Sequence, residues 1–127
     1  MHKLAFLFFL LVIGFSAQSQ RYSFIAYNTA EGLPQSQVNA IAQSPNGYLW
    51  VGTLGGLARF NGENFITYSF ENGLLNNKIT FLEFDKNVLW IGHEGGISKM
   101  ENGKFTKWQL PFQYKSSKVT EIFQFNN

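Results

Sequence analysis

His93-Glu94 sets an imidazole that titrates near pH ~6.5 beside a carboxylate, the strongest polar pairing in this sequence. Asn76, Asn77 and Lys78 form a second polar run, and Gln35, Ser36 and Gln37 a third. Amides, a hydroxyl, one cation, one anion and one imidazole suit hydrogen-bonded recognition of a polar ligand more than bond-breaking. Each also has a plain structural role open to it. Ser36 and Asn77 can tie down turns, Lys78 and Glu94 can be solvated charges, and a lone histidine in a loop can be incidental.

Catalysis has little support. Apart from His2 in the leader, the chain holds one histidine, His93, and one aspartate, Asp85, and no serine lies in a nucleophile-elbow pattern. No cluster of His, Asp and Glu has metal-ligand spacing, so neither a metal nor a cofactor is expected. Zero Cys removes disulfides, thiolate zinc sites and cysteine nucleophiles. Glu31, Glu71 and Glu94 leave open paired carboxylates of the glycosidase kind. Gly52-x-x-Gly55-Gly56 lacks the dinucleotide-binding spacing and no helix follows it. A formal charge of +2, without a Lys/Arg run, gives no basic face for nucleic acid.

The elements that position these residues are repeats. Trp50-Val51-Gly52 and Trp90-Ile91-Gly92 stand 40 residues apart, and the same offset carries Gly55-Gly56 onto Gly95-Gly96. Gly32-Leu33 matches Gly73-Leu74 at an offset of 41, the extra residue falling in the Ser44-Pro45-Asn46-Gly47 turn. Lys118-Val119-Thr120 repeats Lys78-Ile79-Thr80. Within a unit, short apolar runs alternate with turn signals: Val38 to Gln43, Leu49 to Thr53, Leu57 to Phe60 and Phe65 to Tyr68, with Asn61-Gly62 a hairpin signal.

Four strands in about 40 residues, apolar on both faces, call for sheets stacked radially, the arithmetic of a β-propeller. The fold expected is therefore all-β. Residues 31–70 make blade one, 71–110 blade two and 111–127 the start of a third, while 20–30 supply an outer strand completing another blade. Trp50 and Trp90 are expected as packing anchors between sheets, with an exposed sugar-stacking platform as the rival role. Gly52 and Gly92 belong to the same anchors, and the pairs Gly55-Gly56 and Gly95-Gly96 are expected to supply positive-φ turns.

Residues 1–19 read as a signal peptide: Met1-His2-Lys3, then an apolar run from Leu4 to Phe15 too short to span a bilayer. Cleavage is expected after Ser19, with Ala17 as the alternative and an uncleaved anchor as the rival. The chain is then exported, to the periplasm or another extracytoplasmic compartment.

The stretch Gly47-x-Leu49-Trp50-Val51-Gly52-Thr53-x-Gly55-Gly56-Leu57-x-Arg59-Phe60-Asn61-Gly62, preceded by Glu31-Gly32-Leu33-Pro34, resembles the repeat of the two-component regulator propeller. The resemblance implies the extracytoplasmic sensor of a histidine kinase, of the hybrid type that responds to glycans in Bacteroidetes. The partners implied are an oligosaccharide or other small extracellular ligand, and further blades or another copy of the chain. Ligand contacts are expected on the rim carrying Gln35, Ser36, Gln37, Asn76, Asn77, Lys78, His93 and Glu94. A glycan hydrolase or lyase propeller, and a passive docking scaffold, are the alternatives.

Overall fold

The computed structural model describes residues 21–122; the signal-peptide reading lies outside them. Eight strands make two antiparallel four-stranded sheets in simple sequential order. Blade one holds β1 (Val38–Gln43), β2 (Leu49–Thr53), β3 (Leu57–Phe60) and β4 (Phe65–Tyr68). Blade two holds β5 (Ile79–Asp85), β6 (Val88–His93), β7 (Gly96–Glu101) and β8 (Lys104–Gln109). No α-helix occurs among the described residues, and none there is long and apolar enough to cross a membrane.

Local chemistry explains the turns. Asn102 and Gly103 take φ of 51° and 75°, the signs a two-residue type I′ hairpin needs. The Asn61-Gly62 turn is longer than that: Phe60 pairs with Phe65, and the Asn61 side chain accepts from the amides of Glu63 and Asn64. Each blade is also preceded by a short 3-10 turn, Thr29–Glu31 and Phe70–Asn72. Asn28 with Glu31, and Ser69 with Asn72, close a capping box around each. The Asn28-x-x-Glu31 spacing is the mark that the first of these boxes leaves in the sequence.

The packing of one blade on the next follows from strand alternation. Trp50, Gly52 and Leu57 face blade two, where Trp50 is 3% exposed in a core with Leu74, Ile79, Leu82, Leu89 and Ile91. Trp50 also stacks on Tyr68 at 5.7 Å between ring centroids. Gly52 is glycine because of this approach: a Cβ there would stand 2.4 Å from Ile79 Cγ2. Leu33, Val51 and Ala58 form a smaller core on the opposite face of blade one.

The repeat carries its contacts forward. Asn39 donates its side-chain amide to the Ile79 carbonyl at 3.0 Å, and Thr80 donates its hydroxyl to the Val119 carbonyl at 2.5 Å. A Cβ on Gly92 would meet Val119 O at 2.9 Å, so Val119 seats on blade two where Ile79 seats on blade one. The backbone of Lys118 pairs antiparallel with that of Glu94, and Val119 N–H donates to the His93 carbonyl.

Three expectations change. Residues 21–28 form no strand, and Tyr22, Phe24 and Ile25 are exposed. The blade that this strand was expected to complete is not one of the two described, and Tyr27 packs edge-on against Phe60 and Phe65. Trp90, the repeat partner of Trp50, is only half-buried, stacked on Trp108 at 6.2 Å. Gly55 is not a positive-φ residue, unlike Gly56, Gly95 and Gly96; a Cβ there would stand 2.9 Å from the Pro34 carbonyl, so close approach selects glycine.

Candidate functional site

The rim formed by the β2–β3 and β6–β7 turns and the segments leading into β1 and β5 gathers the polar residues singled out above. Gln35, Ser36 and Gln37 are exposed on it, with Gln37 weakly bonded to Asn39 at 3.4 Å. Asn76 and Asn77 turn inward. Asn76 donates to the Glu94 carbonyl at 3.2 Å and accepts from Lys78 N–H at 3.1 Å, while Asn77 accepts from Phe70 N–H at 2.6 Å. Their amides hold the 69–78 connection in place.

Lys78 and Glu94 meet in an ion pair at 3.1 Å. Lys78 is largely exposed, so screening keeps the pair worth under about 1 kcal/mol. The charges remain available to solvent on the rim, beside the Asn76 anchor.

His93 is a correction to the loop reading: it is the last residue of β6 and 0% exposed. It cannot touch a ligand on the rim. Its Nε2 lies 2.8 Å from Ser98 Oγ, and Ser98 Oγ accepts from Leu75 N–H at 3.0 Å. The Ser98 proton is then free to reach Nε2, which makes the neutral imidazole, protonated on Nδ1, the form that fits. Burial lowers its pKa from 6.5 to about 4, against a smaller opposing pull from the backbone of Asn76 and Lys78. Nδ1 itself has no well-formed hydrogen-bond partner.

Blade one shows why this relay exists. The position of Leu75 is occupied there by Pro34, which has no N–H, and the position of Ser98 by Ala58. Donor and acceptor are lost together, as expected where a buried amide must be paired. Thr53 stands where His93 does and staples its own turn, donating to the Gly56 carbonyl and accepting from Gly55 N–H.

Glu31 caps its own turn by accepting from Asn28 N–H, Glu94 is held by Lys78, and no group of metal-binding residues occurs among the described residues.

Four-stranded antiparallel meanders in sequence, the second covering the indole-bearing face of the first, are β-propeller blades. Residues 32–55 match the family of the two component regulator propeller. Over 62 residues, 49% of the chain, the sequence is 42% identical to histidine kinase P4 of Formosa agariphila, and it spans 4% of that protein. The fold is similar to that of the extracellular domain of a protein described as a hybrid two component system of B. thetaiotaomicron, with a TM-score of 0.60 and 21% identity. That similarity covers 69% of this chain and 14% of the solved one.

Proposed function

We propose that the chain is an arc of the extracytoplasmic sensor propeller of a two-component histidine kinase, and that it binds its signal rather than transforming it. The observation that carries this reading is the continuing register: Val119 seats on Gly92 as Ile79 seats on Gly52, so the chain builds successive blades around one axis. The likeness to histidine kinase P4 supports the output, and the exposed Gln35, Ser36, Gln37 and Lys78 with the half-buried Glu94 are the rim contacts proposed, His93 being buried and Asn76 and Asn77 engaged in the 69–78 connection. A ligand on the rim would bias the kinase by binding two arrangements of the propeller unequally. The ligand class proposed is a glycan or glycan fragment.

The genomic DNA continuous with this frame tests the reading. Further blades, a membrane span and kinase modules are expected; a hydrolase or lyase domain, or a closed propeller with no output module, refutes it.

A further inference from the structure

The end of the blades opposite that rim carries a cleft of about 470 Å³ between blade one and blade two, a volume within the range of small-molecule sites. Both of its walls are present in the described chain, so it does not depend on further blades. Asn46 lines it from the β1–β2 turn and Asn87 from the β5–β6 turn, with Tyr48, Trp50, Phe84 and Arg59 between them.

Arg59 is the unusual member. Its guanidinium lies 4.7 Å from the Tyr48 ring centroid and 5.8 Å from that of Trp50, stacking distances for a cation on aromatic faces. Its Nε is buried without an acceptor, and so is the indole Nε1 of Trp50, in a side chain only 3% exposed. The corresponding cation of blade two, Lys99, has a carboxylate: Glu101 Oε2 stands 2.7 Å from its Nζ. In blade one the place of Glu101 is taken by Asn61, and Arg59 has no carboxylate partner among the described residues.

We propose that this cleft binds a carboxylate-bearing sugar, a hexuronate unit, whose carboxylate supplies the anion Arg59 lacks. A planar guanidinium matches a carboxylate through two parallel hydrogen bonds. Tyr48, one face of which lies under Arg59, and Phe84 add apolar surface for the C–H side of a sugar ring; the Asn46 amide, whose Oδ1 accepts from Ser44 Oγ, offers its N–H groups to hydroxyls, and that of Asn87 offers both donors and acceptors. The choice of a sugar rests on the glycan reading above; the requirement for a carboxylate rests on Arg59 alone.

Titration calorimetry of the full chain with galacturonate, galactose and acetate tests it. Galacturonate should bind at least about tenfold more tightly than galactose, and Arg59→Gln should remove that preference. Asn87→Ala, in an exposed turn, should leave folding intact and weaken galacturonate by about tenfold or less. Circular dichroism checks that Arg59→Gln is folded; if it is not, the Asn87 variant and the galacturonate-to-galactose ratio decide. Equal binding of galacturonate and galactose, unchanged affinity in either folded variant, or no binding of any probe overturns the site. Binding of acetate as tight as galacturonate overturns the sugar while keeping the anion. None of these results depends on a kinase, so failure here and failure of the sensor reading are separate.

Discussion

Acidification should unfold this protein through His93. The imidazole is held neutral in the folded chain, with its pKa lowered from 6.5 to about 4 by burial. Between those two values the unfolded chain binds a proton that the folded chain refuses, so stability is present above the unfolded pKa and is lost as pH falls towards the folded one. A fall from 6.5 to about 4, at about 1.36 kcal/mol per pH unit, puts the loss at about 3 kcal/mol. That is a large fraction of the stability of a chain this size.

Urea denaturation followed by tryptophan fluorescence, which reports on the buried Trp50, should show this loss between about pH 7 and about pH 4. His93→Gln removes the titration, so the gap between the two chains should close as pH falls. Proton NMR gives the same quantity directly: the His93 ring resonances should move with a midpoint near 4. A midpoint at the ordinary value, or two stability curves that stay parallel, would refute the buried neutral imidazole.

Three further outcomes follow from the packing. Trp50→Ala should cost about 3–5 kcal/mol in urea denaturation, whereas Trp90→Ala, at the matching position but half-buried, should cost clearly less; equal losses would contradict the asymmetry of the blade faces. Gly52→Ala should destabilise by more than about 2 kcal/mol because its Cβ meets Ile79, and Ile79→Ala in the same chain should return part of that loss, a coupling a double-mutant cycle measures. Gly47→Ala serves as its control: no atom stands within 4 Å of the added Cβ, so only its positive φ costs, about 1–2 kcal/mol. Ser98→Ala should cost about 1–3 kcal/mol by stranding the Leu75 amide, and faster hydrogen exchange at that amide is the specific sign.

Much of the fold is written locally. Strand starts and stops, the hairpin at Asn102-Gly103 and the spacing of the two indole-glycine cores depend on turn chemistry and alternation within a few residues, which a linear chain displays. The forty-residue repeat then leaves few architectures that bury both faces of every sheet. The candidate rim was legible in the same way, because polar runs mark the segments that lead into β1 and β5.

What remained hidden depends on neighbours distant in the chain. His93 and Thr53 share a repeat position, yet only the fold reveals that a strand-end side chain there turns into the core and meets Ser98 and Leu75. Trp50 and Trp90 look equivalent in sequence, but Trp50 is buried against blade two while Trp90 is half-buried, and burial is a property of what packs opposite rather than of residue type. Tyr22 to Tyr27 has the composition of a strand, yet forms none, because a strand exists only where another strand pairs with it. Arg59 reads as one more surface cation until the two blades close over its stem and leave its charge without a partner, because desolvation and charge pairing are properties of surroundings that only folding brings together.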